Sequence, residues 1–406
     1  MTLEETPSGE RLHVGFFGRR NAGKSSLVNA VSGQDLAVVS PVAGTTTDPV
    51  AKSMEWLPLG PVVVLDTPGL DDDDAALGAE RVRRARRALS RIDAAVLVVD
   101  ATRGLSEDDL ALERELRDRG TPFSVAWNKS DLPGALPPPS GAFSVSAATG
   151  AGVREFKDAF AAAVLAARKS APEKRLVGDL LAPGDAVVLV TPIDAAAPKG
   201  RLILPQQQAL RDVLDAHASA FVCQPEELPG VLARLATPPR LVVTDSQAFG
   251  RVARDVPPDV PLTSFSILFA RYKGDLRELA RGAAALARLR DGDRVLVAEG
   301  CTHHRQCGDI GTQKLPRWIA DFAGAKPAFS FVSGNEFPDD PSGFALVVHC
   351  GGCMLTPQAM ADRLGRARAA GVPVVNYGVA IAHVHGVLRR ALEPFPDALA
   401  ALDGRD

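Results

Sequence analysis

The chain has 406 residues, with Lys plus Arg at 46 against Asp plus Glu at 49, so its net charge of −3 gives no global positive field to gather nucleic acid or anionic lipid. At 46% hydrophobic and 23% charged it has the composition of a soluble globular protein, and its length calls for about two to four domains. A single small module and a mainly disordered chain are both excluded. The longest apolar run, residues 159–167, is far short of the roughly 20 residues of a spanning helix, and the amino terminus MTLEETPSGE is acidic where a secretory signal is basic. The expectation is a cytoplasmic protein with neither nucleic acid nor membrane among its partners.

Residues 1–172 alternate apolar strands with amphipathic helices: strand LHVGFF, a helix from Lys24, strand VVVLDT, a helix over 79–89, strand AAVLVVD, a helix over 107–119, strands FSVAWN and AFSVSA, and a helix over 153–168. This is a parallel α/β domain of nucleotide-binding type. Gly18-Arg19-Arg20-Asn21-Ala22-Gly23-Lys24-Ser25 lies between the first strand and its helix and fits the P-loop pattern. Its glycines let backbone N–H groups wrap phosphates, Lys24 reaches the β and γ groups, Ser25 ligates Mg²⁺, and Ser26 follows in the cradle. Asp66-Thr67-Pro68-Gly69 supplies a carboxylate on the Mg²⁺ side and an N–H for the γ-phosphate. Asn128-Lys129-Ser130-Asp131 follows the fourth strand of that series, where the Asp131 carboxylate can accept from both N1–H and the 2-amino group of guanine. Ser146-Ala147 completes the base pocket. The carboxylate run Asp71-Asp72-Asp73-Asp74 and the arginine-rich helix over 81–91 read as solvated surface.

These residues resemble the motifs of translation-factor-related GTPases, and Ala43-Gly44-Thr45-Thr46-Thr47-Asp48 resembles switch I of their potassium-activated, TrmE- and Era-like subgroup. The resemblance implies GTP and Mg²⁺ as ligands, Asn21 as a K⁺ ligand that does the work of an arginine finger, and Thr46 as the second Mg²⁺ hydroxyl. Leu70 stands where Ras-like proteins carry a water-orienting glutamine, so slow, K⁺-stimulated hydrolysis is implied. Lys24, Asn21, Thr46, Asp66 and Gly69 form the implied catalytic set. Asn21 as a plain turn residue is the alternative.

Residues 173–271 form a second α/β pattern with strands DAVVLVTPID, SAFVC and RLVVTD, helices over 206–216, 228–235 and 247–255, and few clustered polar groups. Residues 272–406 form a third: a helix over 276–289, strand RVLVAE, a helix over 316–322, strands AFSFV and FALVVH, a helix over 357–369, strand VPVVN and a helix over 383–392. Four of the five cysteines fall between Cys301 and Cys353, which suits metal or redox chemistry in a reducing compartment better than a disulfide framework. Cys223, alone, reads as a core residue.

Cys301-Thr302-His303-His304-Arg305-Gln306-Cys307 begins where RVLVAE ends, and His349-Cys350-Gly351-Gly352-Cys353 begins where FALVVH ends. Loops at the carboxyl ends of parallel strands share one mouth, so thiolates from both loops can meet a common metal. Spacing alone leaves zinc and an iron–sulfur cluster both open. His383, His385, Asn376 and Tyr377 either line that mouth or, for the histidines, cap a helix.

Cys301-x-His303 followed by His349-Cys350-x-x-Cys353, with HHRQCGDIGTQKLPRW between them and a GTPase domain ahead, resembles HydF, the GTPase maturation factor of iron-iron hydrogenases, over essentially the whole chain. The resemblance implies a dimerisation domain in the middle, a homodimer, and a last domain holding a 4Fe-4S cluster on Cys301, Cys350 and Cys353. It further implies a transient binuclear iron precursor received from radical-SAM hydrogenase maturases and passed to apo iron-iron hydrogenase. The fourth ligand is open, because Gly308 stands where an acidic residue is expected; Asp309, a histidine or solvent remain, with His303 and His349 near the exchangeable iron and Cys307 a spectator. A potassium-dependent GTPase of RNA modification or ribosome assembly, and a zinc-stabilised GTPase switch, are the alternatives.

Overall fold

The computed structural model describes residues 11–33, 50–67, 88–170, 174–193, 202–300, 310–334, 336–352 and 355–405. Its contacts divide the chain into two compact units, Met1–Glu173 and Lys174–Asp406. Among the described residues no helix is long and apolar enough to cross a membrane.

The first unit is built on β1 (Leu12–Phe17), β2 (Val50–Trp56), β3 (Gly60–Asp66), β4 (Ala94–Asp100), β5 (Phe123–Asn128) and β6 (Ala142–Ser144), in the sheet order β2-β3-β1-β4-β5-β6. Helices α1 (Lys24–Ser32), α2 (Glu107–Asp118) and α3 (Val153–Ser170) accompany them. Strands β1 and β4 are buried along their whole length, as central strands covered on both faces must be. One apolar cluster gathers Val14, Val28, Phe156 and Phe160; a second gathers Phe17, Leu97 and Leu116. The parallel sheet expected from the sequence is corrected at one edge, where β2 runs antiparallel to β3. In VAKSMEW only Met54 and Trp56 are buried among its described side chains, so this edge strand lacks the continuous apolar run of its neighbours. The start of α2 is fixed by a capping box: Ser106 Oγ accepts from Asp109 N at 3.2 Å, and Asp109 Oδ2 accepts from Ser106 N at 3.0 Å. The helix expected over 79–89 lies outside the described residues except for its last two positions, which are helical.

Asp93 leads into β4 and accepts the backbone N–H of His13 at 2.8 Å. Burial pushes the Asp93 carboxyl up to about 6, and burial also pushes the His13 imidazole down to about 4. The raised carboxyl makes the fold weaker as pH climbs from about 4 to 6; the depressed imidazole makes it stronger over the same window, because there the unfolded histidine binds the extra proton. The two slopes oppose. Asp93→Asn keeps an acceptor for the His13 N–H and removes one slope, so the urea midpoint of this unit should climb from pH 4 to 6.5 more steeply than in the parent, by on the order of 1–2 kcal/mol in stability. Parallel pH profiles for the two proteins would refute this account.

The second unit contains two four-stranded, wholly parallel sheets. One has the order β10-β9-β7-β8, from β7 (Ala186–Val190), β8 (Ser219–Cys223), β9 (Leu241–Thr244) and β10 (Leu262–Ser264). The other has the order β12-β11-β13-β14, from β11 (Arg294–Ala298), β12 (Ala328–Val332), β13 (Leu346–His349) and β14 (Val374–Asn376). Their helices are α4 (Leu204–Asp215), α5 (Leu228–Leu232), α6 (Phe249–Asp255), α7 (Phe265–Lys273), α8 (Leu276–Leu286), α9 (Leu315–Ala323), α10 (Pro357–Ala369), α11 (Tyr377–Val384), α12 (Leu388–Ala391) and α13 (Pro396–Leu402). A single buried core runs from Leu176 to Ala398 through both sheets. Helix α7 is its hinge-pin, since Phe265, Ile267, Leu268, Phe269, Ala270 and Lys273 are all buried and the helix packs against α4, α10 and α11. Gly282 of α8 backs onto β14 so closely that an added Cβ would lie 1.9 Å from Val374 O.

The strand β10 and the helices α7 and α13 go unannounced by the sequence pattern, and one expectation is corrected. The helix expected over 383–392 is instead α11 and α12, because Asn376 caps α11 seven residues earlier by accepting from Val379 N at 2.9 Å.

Candidate functional site

The phosphate loop joins β1 to α1. Gly18 has φ +142°, and a Cβ there would lie 2.1 Å from Val98 O; Gly23 has φ +90°, and a Cβ there would lie 2.2 Å from Asn128 Nδ2. Neither position tolerates a side chain. Asn21 adopts a left-handed φ of +61°, which asparagine accepts better than most residues. Lys24 is buried, and its Nζ donates to the carbonyls of Gly18 at 2.9 Å and Arg19 at 2.8 Å, curling the ammonium back over the loop. Ser25 and Ser26 lie in the first turn of α1, the end at which a helix dipole favours anions.

Asn128 ties this loop to the base-binding side. Its Nδ2 donates to Ala22 O at 2.8 Å, and its Oδ1 accepts from Ala147 N at 2.9 Å. Lys129, at φ +67°, donates from Nζ to Asp100 Oδ2 at 2.6 Å. Burial would raise the Asp100 carboxyl, but Lys129 and the hydroxyl and N–H of Thr102 hold it below its ordinary value. Ser146 is buried and its Oγ accepts from Thr149 N at 3.1 Å, shaping the turn that presents Ala147. Asp131 is exposed at the rim, open to a base. Sequence reasoning missed Asp100, and it missed the buried Thr67 hydroxyl, which donates to Phe16 O at 2.6 Å and pins the end of β3 to β1. Thr46, Gly69 and the side chain of Asp66 lie outside what is described.

In the second unit β11 and β13 run side by side with Ala298 opposite His349, and Cys350 N donates to Ala298 O at 2.9 Å. The two cysteine-bearing loops therefore leave one edge of the sheet together. Cys350 is half-buried, and its Sγ accepts from Gly300 N at 3.0 Å and Gly352 N at 3.3 Å. Gly352 has φ +63°, and a Cβ on Gly300 would lie 3.5 Å from Gly352 Cα. The residues that precede Cys301 and Cys353 thus touch. Cys301, His303, Cys307, Asp309 and Cys353 themselves lie outside the described residues. Among those described, no three His, Cys, Asp or Glu side chains form a metal-binding group.

His349 is buried with both ring nitrogens engaged: Nδ1 is 2.8 Å from Cys350 O and Nε2 is 2.9 Å from Arg363 Nη1. A guanidinium only donates, so Nε2 accepts and Nδ1–H donates. Burial, and then the charge of Arg363, push this imidazole down to about 3, so it is neutral. The ring orients the Cys350 carbonyl and would have to release a partner to ligate a metal. Lys273 also reaches this loop, donating from Nζ to Gly352 O at 3.1 Å and Leu355 O at 2.8 Å. Neither Lys273 nor Arg363 was singled out from the sequence; a lysine within the apolar run FSILFARYK was the available signal.

Tyr377 meets the mouth, its hydroxyl donating to Glu299 Oε1 at 3.2 Å. Asn376 does not, because its Nδ2 donates to Ser266 O at 3.1 Å. His383 and His385 sit at the other end of α11, against Phe322 and Trp318 of α9. The Cys223 thiol is buried at the end of β8, and burial pushes it up to about 11, the state of an inert core thiol.

Comparison with known proteins places these features. Residues 13–129 match the 50S ribosome-binding GTPase family model. The tRNA modification GTPase MnmE of Synechococcus sp. (strain RCC307) is 40% identical over 148 residues, 36% of this chain and 32% of the relative. GTPase Der of Thermomicrobium roseum is 40% identical over 130 residues, 31% of this chain and 28% of the relative. The chain thus spans about a third of the length of these curated relatives. Among solved structures, NFeoB from S. thermophilus bound to GDP.AlF4- and K+ aligns at 24% identity over 37% of this chain and 62% of that one, with a TM-score of 0.30. Residues 176–274 match the hydrogen maturase F dimerization domain and 277–394 its tetramerization domain, a label that the sequence pattern had not suggested for the last segment. With both of these domains behind a P-loop GTPase domain, the chain belongs to the hydrogen maturase F family of hydrogenase maturation GTPases.

Proposed function

We propose that this chain is a GTP-hydrolysing scaffold that binds a 4Fe-4S cluster on Cys301, Cys350 and Cys353, receives the binuclear iron precursor from radical-SAM maturases and transfers it to apo iron-iron hydrogenase. The observation that carries the cluster half is the environment of Cys350: two backbone N–H groups point at its sulfur, and they belong to Gly300 and Gly352, the residues that precede the other two cysteines in the chain. N–H donors to sulfur and glycines between thiolates suit an Fe–S ligand set. When bound, the cluster would offer an iron with an exchangeable position, for which His303, His349 and Asp309 are the candidate side chains. The chain divides functionally as 1–172 for GTP, 173–271 for homodimerisation and 272–406 for the cluster, in the cytoplasm. The edge strand β8 supports the dimer, because Phe221 and Val222 are 41% and 45% exposed on a strand that pairs on one side only among the described residues.

In the first unit Gly18, Gly23, Lys24 and the start of α1 wrap the phosphates, Ser25 and Thr46 hold Mg²⁺ with Asp66 behind, Gly69 N–H meets the γ-phosphate, and Asp131 reads guanine within the frame set by Asn128, Lys129, Ser146 and Ala147. Asn21 and switch I hold K⁺ at the phosphates, so GTP should turn over severalfold faster in KCl than in NaCl at equal ionic strength, and ATP should not be hydrolysed. Equal rates in the two salts remove the K⁺ role. The scaffold role is tested by anaerobic reconstitution with iron and sulfide, iron analysis and paramagnetic resonance of the reduced protein. A chain that instead keeps one tightly bound zinc and takes up no cluster is a zinc-stabilised GTPase.

A further inference from the structure

Two buried cations from different helices grip the loop between His349 and Leu355. Lys273, the last residue of α7, is 3% exposed and holds the carbonyls of Gly352 and Leu355. Arg363 of α10, 6% exposed, also donates to Gly334 O and stacks on the Phe337 ring at 5.4 Å while it holds His349, which in turn holds the Cys350 carbonyl. Lys273 therefore acts one peptide bond from Cys353, and Arg363 reaches Cys350 through one imidazole. Gly351 and Gly352 give the loop little stiffness of its own, so its shape comes from these outside holds. Both side chains bring positive charge to the loop that carries Cys350, and thiolates bound to an iron cluster would be attracted by it. The N–H groups of Gly300 and Gly352 act on Cys350 Sγ in the same electrical sense.

We propose that Lys273 is a positioning residue of the metal site: it fixes the loop that carries Cys350 and Cys353 and, together with Arg363, sets the site's charge so that the reduced, more negative cluster is favoured. This rests on the cluster reading given above. A cation near a cluster raises its reduction potential, and a neutral donor in its place keeps the brace while removing that effect of charge.

The test uses the full-length protein, reconstituted anaerobically, as wild type, Lys273→Met, Lys273→Gln and Lys273→Arg. Each is assayed for iron per chain, for the rate of iron loss to a chelator, and for midpoint potential by a redox titration followed by paramagnetic resonance. Lys273→Met should lose iron roughly tenfold faster or more and titrate at a more negative potential than the parent. Lys273→Arg should recover most of both properties. Lys273→Gln keeps an N–H donor for the carbonyls without the charge, so its potential should move negative even if its iron retention is near normal, and it decides the question should the methionine variant fail to fold. Wild-type retention and potential in the glutamine and methionine variants would overturn the proposal. A wild-type protein that takes up no cluster would instead sink the cluster reading, and this proposal with it, before any substitution is compared.

Discussion

Serine in place of Cys350 should strip most of the iron from the reconstituted protein and abolish the paramagnetic signal of its reduced cluster. The sulfur sits where both neighbouring glycine N–H groups converge, so it is already placed as an electron-rich acceptor rather than as a core thiol. An alkoxide oxygen is a harder ligand on a shorter bond, and iron–sulfur centres select soft thiolates. With three protein thiolates for a cuboid, losing one should weaken iron binding beyond the roughly ten- to hundredfold typical of changes outside the ligand set. Cys301→Ser and Cys353→Ser should match it. Cys223→Ser should keep its full iron content, because that thiol is buried on the other sheet. Iron and sulfide per chain settle the matter, and a Cys350→Ser protein with parental iron would remove this residue from the ligand set.

Lys24→Ala should lower GTP hydrolysis by about a hundred- to a thousandfold, the loss expected when a preorganised group that meets developing phosphate charge is deleted. Its ammonium rests on the Gly18 and Arg19 carbonyls inside the loop, a position from which it can turn to phosphate without leaving the site. Removal also leaves those carbonyls without that donor, a penalty of about 1–3 kcal/mol if water does not replace it. A single-turnover assay at saturating GTP separates the two effects, because a merely destabilised loop binds weakly but hydrolyses what it binds. Iron content should stay unchanged, and a rate within threefold of the parent would exclude Lys24 from the chemistry.

The elements most legible in the sequence were strands buried along their whole length and helices with one buried face. LHVGFF and AAVLVVD could only be central strands, and Pro357–Ala369 was found to the residue because Thr356 and Pro357 punctuate its start. The short strand LTS and the helix FSILFARYK escaped for the opposite reason: three residues show no alternation, and a helix buried on most sides shows no polar stripe. At the proposed cluster site the cysteines stood out in the sequence because thiols cluster for few reasons. Lys273 and Arg363 were not, since only the packed structure shows which carbonyls they meet. Of the two readings left open for His383 and His385, the structure takes the helix end: His383 lies in the last turn of α11 and His385 is its C-cap.

The continuous core from Leu176 to Ala398 gives the segment boundary near residue 275 no energetic counterpart. Helix α7 closes the dimerization segment and α8 opens the tetramerization segment, yet both are walled in by the same side chains, so neither segment can melt and leave its neighbour intact. Lys273 stands at that seam and touches the cysteine loop directly. Association free energy gained along the edge of the β8 sheet would therefore be shared by the cysteine loop through thermodynamic linkage, and with the proposed cluster in place subunit exchange and metal loading would be two readings of one cooperative equilibrium.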